Sequence, residues 1–67
     1  QLKLIHRLVN ELPEKQRTVM QLRDVEGKSY KEIAEIMHLT EEQVKVNLFR
    51  ARRQIRSKYD EIDTYGL

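Results

Sequence analysis

Two helix-start signals stand eleven residues apart in this chain and leave room between them for one short helix. In Ser29-Tyr30-Lys31-Glu32 the serine hydroxyl can accept from the backbone N–H of Glu32, while the glutamate carboxylate reaches back to the N–H of Ser29. Thr40-Glu41-Glu42-Gln43 repeats the arrangement, with Leu39 and Val44 placed to form a hydrophobic staple across it. Each signal satisfies donors that a helix start otherwise leaves unpaired, so each marks a boundary independently of tertiary context. The spacing predicts a helix over Tyr30–Met37, a tight connection His38-Leu39-Thr40, and a longer helix over residues 41–58. Short helix, three-residue turn and longer helix together make a helix-turn-helix.

The rest of the chain reads as helical too. Leu2, Leu4, Ile5, Leu8, Val9 and Leu12 recur with helical spacing in a first helix. Their arc of roughly 160° is wider than the ~100° stripe that one core contact requires. A crowded core explains that width, and so does a protein partner meeting Leu4 and Leu8. Pro13 suits the first turn of a second helix, and Glu14 complements its dipole. Val19, Met20 and Leu22 carry that helix to about Val25, where Gly27 supplies the positive φ that ends many helices. No strand alternation or internal repeat appears. The expected fold is all-α, a small four-helix domain over residues 1–59 followed by a frayed acidic tail over 60–67. The chain opens inside an apparent helix without an initiator Met, as expected of a domain cut from a longer protein.

Charge then separates the elements. The 67 residues have a formal net charge of +2, yet residues 44–58 hold six basic side chains and no acidic one. Residues 1–43 carry seven Lys/Arg against eight Asp/Glu, and residues 59–67 carry three acids. A solvated helix can be this basic, but clustered positive charge is also the footprint of a polyanion partner.

The faces of the last helix favour the partner. Val44, Leu48, Ala51 and Ile55 fall within about 60° of one another and form its packing line. Ala34 in the short helix is small enough to let the two helices cross closely. Glu42, Val46, Phe49, Arg50, Arg53 and Arg56 lie on the opposite side, with Lys45 at the flank. An exposed Phe and Val among arginines is costly in water but useful in a DNA major groove. There, apolar groups meet thymine methyls and arginine binds guanine O6 and N7. Recognition helices dock by their N-terminal part, so Lys45, Val46, Phe49 and Arg50 are the expected base contacts. Arg52, Arg53, Arg56 and Lys58 are the expected phosphate contacts, with Thr40 and the first backbone N–H groups holding a further phosphate.

Other chemistry has little to stand on. The chain has no cysteine, and His6 and His38 sit in no cluster of metal-ligand types, so neither a metal nor a cofactor is expected. No phosphate loop, nucleophile elbow or paired-carboxylate site stands out, which argues against an enzyme and a small-molecule substrate. An ion pair of Arg17 with Glu32 or Glu35 is expected to tie the second helix to the third. No apolar run approaches the roughly 20 residues needed to span a bilayer, so no membrane partner and a cytoplasmic setting are expected.

Longer stretches carry a resemblance. Leu12-Pro13-Glu14-Lys15-Gln16-Arg17, then Leu22-Arg23-Asp24-Val25-Glu26-Gly27-Lys28-Ser29-Tyr30-Lys31-Glu32-Ile33-Ala34, then Val44-Lys45 and Leu48-Phe49-Arg50-Ala51-Arg52 resemble region four of sigma-seventy-family transcription factors, above all the extracytoplasmic-function (ECF) group. The likeness covers about residues 2–58. It implies a domain that binds the minus-35 element of double-stranded promoter DNA while docked on the β flap of RNA polymerase. An anti-sigma factor is a further partner implied for the apolar first helix. By matching positions, Lys45, Phe49 and Arg50 correspond to DNA-contacting residues of that family. Val46 and Asn47 depart from the small polar and basic pair frequent there, so a base preference does not carry over. His38 replaces the usual turn glycine, which implies strain if its φ is positive.

Two other readings compete. A LuxR-type response-regulator helix-turn-helix shares the Lys-Glu-Ile-Ala and Val-Lys-Val elements, but not the Leu-Pro-Glu-Lys-Gln start or Phe-Arg-Ala-Arg. A protein-interaction module that no longer binds DNA would account for the wide apolar first helix.

Overall fold

The computed structural model describes the backbone of residues 2–65 and the side chains through residue 62. Four helices follow in order: α1 (Leu2–Asn10), α2 (Glu14–Met20), α3 (Tyr30–Met37) and α4 (Glu41–Tyr65). α2 runs directly into one π-helical turn, Gln21–Val25. Among the described residues there is no strand.

Both capping boxes form. Ser29 Oγ accepts from Glu32 N–H at 3.0 Å, and Glu32 Oε1 accepts from Ser29 N–H at 2.9 Å. Thr40 Oγ1 accepts from Gln43 N–H at 3.0 Å, and Gln43 Oε1 accepts from Thr40 N–H at 2.9 Å. α3 therefore begins and ends where the local chemistry puts it. At its far end His38 takes φ 57° and ψ 44°, a left-handed conformation that lets Leu39 N–H reach Ala34 C=O at 3.0 Å. A side chain with a Cβ adopts that backbone at a cost of about 1–2 kcal/mol, which is the strain expected of a histidine in a glycine's place.

The first box also titrates. Hydrogen bonds from the backbone and then the side chain of Ser29 hold the Glu32 carboxyl below its ordinary value of 4.5. A carboxylate with a lowered folded-state pKa adds stability above its ordinary value and loses it as the pH falls through the lowered one. Glu32→Gln keeps an acceptor at the box and removes the titration. Its melting temperature should fall less than that of the parent between pH 5 and pH 2 (about the window of such a carboxylate). Parallel acid limbs for the two proteins would remove Glu32 from the account.

The core gathers on one line of α4. Val44 and Leu48 are buried there against Val19, Leu22 and Ile33, with Ala34, Met37 and Leu39 packed around the cluster, and Ala51 is buried further along the same line. Ile55 is half-buried at the end of the line. α2, α3 and α1 all pack on α4, which is the spine of the domain. Pro13 stands just before α2 rather than inside its first turn; with ψ 144° it is extended, and its C=O accepts from Arg17 N–H at 3.0 Å.

The π turn is what the helical period did not foresee. Its defining bond runs from Glu26 N–H to Gln21 C=O at 3.1 Å, five residues back. Lys28 N–H then closes on Leu22 C=O at 3.0 Å around Gly27, whose φ is 71°. A Cβ at Gly27 would meet nothing within 4 Å, so glycine is needed there for its backbone and not for space.

Three expectations change. The last helix does not stop at residue 58 but continues to Tyr65, and residues 66 and 67 of the expected tail lie outside the described residues. Tyr59 and Ile62 prolong the apolar period of Ile55, and residues 59–65 contain no Gly or Pro to break the helix. Leu8 is only 5% exposed and belongs to the core, so it is not available to the protein partner expected at Leu4 and Leu8; the exposed apolar residues of α1 are Leu2 and Ile5, 71% and 41% exposed, with Leu4 half-buried. Arg17 makes no ion pair with Glu32 or Glu35; its Nη1 donates to the Asn10 C=O at 3.2 Å, and the Glu32 carboxylate is taken by Ser29.

Candidate nucleic-acid interface

The surface of α4 opposite the core line is where the expected DNA-binding residues meet. Val46 and Phe49 remain 41% and 64% exposed, and Lys45, Arg50, Arg53, Arg56 and Lys58 are exposed with them. Phe49 does not fold back into the domain. At about 100° per residue, Glu42, Val46, Phe49 and Arg53 project within roughly 60° of one another, directly away from Val44, Leu48 and Ala51. Burying the second set therefore presents the first. Among the described residues Arg50, Arg53 and Arg56 have no hydrogen-bond or ion-pair partner, so their donors are available to a ligand.

Thr40 lies at the leading end of this face. Its hydroxyl accepts from Gln43 N–H, which leaves its own O–H to donate outward. Glu41 and Glu42 occupy the first turn of the helix. They stabilise the positive end of the helix, and their charge leaves the later arginines as stronger ligands for an anion than the neutral hydroxyl of Thr40. Asn47 turns inward, its Nδ2 donating to Gln43 C=O at 2.8 Å.

Arg52 is the exception among the basic residues. Its Nη2 donates to Asp24 Oδ1 at 2.5 Å and its Nε to Oδ2 at 3.4 Å, a two-pronged pair that joins the π turn to α4. The hydrogen bond to Asp24 pushes the guanidinium pKa above its ordinary value, against a smaller opposing effect of burial. The expectation of a phosphate contact at Arg52 is corrected accordingly: its fork is already filled by a carboxylate. With side chains 51% and 37% exposed, the pair adds less than about 1 kcal/mol and acts chiefly to orient the turn.

Tyr30 is a residue that the reading of the sequence passed over. As the first residue of α3 it lies beside α4, with Arg23 Cζ 4.8 Å and Lys45 Nζ 5.8 Å from the centre of its ring. Cations at such distances are attracted to the ring face, so Tyr30 collects positive charge at the flank of α4. Tyr30, Lys45, Phe49, Arg52, Arg53 and Arg56 border a hollow of about 520 Å³ floored by Leu48. A basic hollow with no acid on its wall suits a polyanion. A tyrosine directly after the capping serine was the available signal, but its partners lie on other helices and were not visible in the spacing.

The comparisons with known proteins agree with this arrangement. The family model described as "Sigma-70, region 4" matches residues 2–55. The chain belongs to the sigma-70 region 4 family. Among curated relatives, region 4 here is 39% identical over 56 residues to the ECF RNA polymerase sigma-E factor of Haemophilus influenzae, covering 84% of this chain and 30% of that protein. It is 41% identical over 51 residues to the RNA polymerase sigma-H factor of Pseudomonas aeruginosa (76% and 26%), and 40% identical over 55 residues to the ECF RNA polymerase sigma-E factor of Escherichia coli (82% and 29%). The chain thus spans about three-tenths of the length of the relatives it matches. No solved structure gives a significant match. The matched span of region 4 takes in α1, α2, α3 and α4 as far as Ile55, and so contains the core line together with Lys45, Val46, Phe49 and Arg50. The ECF sigma relatives do not favour the response-regulator alternative. Among the described residues, no helix is long and apolar enough to cross a membrane, and no group of three or more metal-ligand types comes together.

Proposed function

We propose that this region 4 domain recognises the minus-35 element of promoter DNA and, docked on the β flap of RNA polymerase, directs transcription initiation as part of an ECF sigma factor. The observation that carries the reading is the face of α4 itself: an exposed Phe49 and Val46 set among arginines that have no partner within the described residues. Water solvates the arginines but not the exposed Phe49 and Val46, whereas a major groove offers thymine methyls to the apolar pair and guanine edges and phosphates to the arginines. In this reading Lys45, Val46, Phe49 and Arg50 meet base edges, while Thr40, Arg53, Arg56 and Lys58 meet the backbone. Arg52 is withdrawn from the phosphate set by Asp24.

Selection of bound promoter sequences by the full-length factor on polymerase tests the reading directly. A shared motif that Phe49→Ala and Val46→Ala change at defined positions supports it, and an unaltered motif in both variants overturns it. Arg56→Ala should weaken binding to every sequence alike, and should flatten the dependence of log affinity on log salt by about 0.9 for one lost phosphate contact. An unchanged slope would remove Arg56 from the backbone.

The protein-facing part of the proposal rests on α1. Leu2 and Ile5 leave an apolar surface on α1, where Ile5 borders a hollow with Ile55 and Tyr59 of α4, fit for the flap or for an anti-sigma factor. Ile5→Asp should abolish capture of the domain by the isolated β flap while leaving its helicity unchanged. Undiminished capture would move the docking site elsewhere.

A further inference from the structure

A second hollow, of about 320 Å³, lies on the other flank of α4 from Tyr30. Arg50, Arg53, Gln54 and Ser57 border it on α4, and Gln16 closes it from α2. Its wall contains two guanidinium groups, two amides and a hydroxyl, and no carboxylate. Gln16 adds an independent sign that the hollow is incomplete. Its Oε1 is buried and has no hydrogen-bond partner. A buried acceptor left unpaired is costly and rare, and it marks a place where a donor is missing. The residues around it are rich in donors: a guanidinium alone has five, so Arg53 can donate to Gln16 and to an anion at once.

The position of the hollow decides which anion. A helix in the major groove runs between two backbone strands, and contacts to both fix its register. The hollow at Tyr30 serves one flank of α4, and Arg53 borders both hollows. We infer that the second hollow seats one phosphate of the opposite DNA strand, with Arg53 as its charged ligand, Gln54 and Ser57 as neutral donors, and Gln16 as the positioning residue that holds Arg53 over the seat. Arg50 stands at the rim, between this phosphate and the bases. The inference rests on the proposed DNA-binding reading and adds Gln16, Gln54 and Ser57 to the interface.

The experiment uses the full-length factor on polymerase and fluorescent duplexes carrying its selected promoter site, either native or with one neutral methylphosphonate at successive positions. Gln16→Leu should lower affinity about fivefold, the worth of one hydrogen bond, on selected and scrambled duplexes alike. Gln16→Glu should lower it by more than about tenfold, because its carboxylate captures Arg53 and repels the phosphate. One methylphosphonate position that weakens binding of the parent should become silent in Gln16→Glu. Ser57→Glu, on the exposed side of α4, should silence the same position, and it supplies the test if the Gln16 variants melt early. Parental affinity with an unchanged methylphosphonate pattern in these variants overturns the seat. If Arg56→Ala still weakens binding in that case, the DNA-binding reading stands without it. If the parent itself discriminates no sequence and Arg56→Ala has no effect, both fall.

Discussion

Ile33→Ala is expected to remove most of the stability of the domain. Ile33 is fully buried, and it lies at the centre of the cluster in which Val19 and Leu22 meet Val44 and Leu48. Truncating such a residue costs about 2–5 kcal/mol, the lost transfer energy plus the cavity left behind. A domain of 67 residues has roughly 3–10 kcal/mol in all, at about 0.05–0.15 kcal/mol per residue. The variant should therefore unfold at much lower urea or fail to fold at 37 °C. Ile36 is a control on the same helix: it is 51% exposed, and Ile36→Ala should stay within about 0.5 kcal/mol of the parent. Equal urea midpoints for the two variants would mean that α3 does not pack as described.

Arg50→Ala is expected to weaken binding at one base pair by about 1–3 kcal/mol, the worth of a bidentate guanine contact. The guanidinium is exposed, projects from the N-terminal half of α4, and has no partner among the described residues. Competition among duplexes substituted at every position of the selected site measures the effect. Discrimination should vanish at one position and persist at the others. A uniform loss across all sequences would make Arg50 a phosphate contact instead. Arg52→Ala is the comparison: it removes the same charge from the same helix, but its fork is committed to Asp24, so it should leave the sequence preference intact.

Much of the site was legible because it follows from one helical period. Once Val44, Leu48 and Ala51 are assigned to the core, Val46, Phe49 and Arg53 must face away from it. The same period should have carried α4 beyond residue 58, since Tyr59 and Ile62 continue the apolar line of Ile55. The basic run ended there and drew the boundary with it, although charge does not end a helix. Leu8 went the other way. Its arc on α1 is shared by more apolar residues than one contact needs, and periodicity does not say which of them the neighbouring helices will cover.

The helix-turn-helix follows from local chemistry alone: two reciprocal capping boxes close over three residues each, and bonds that short depend on nothing distant. The order of residues also sets which line of α4 is apolar and which is basic. Long-range packing is what gives Arg52 to Asp24 across 28 residues of chain, gathers Arg23 and Lys45 at Tyr30, and closes a hollow beside Arg53 with Gln16. Every one of those side chains has several chemically suitable partners in this highly charged chain. The choice among them is made by the crossing of α2 and α3 over α4, which brings one partner within reach and leaves the others in water.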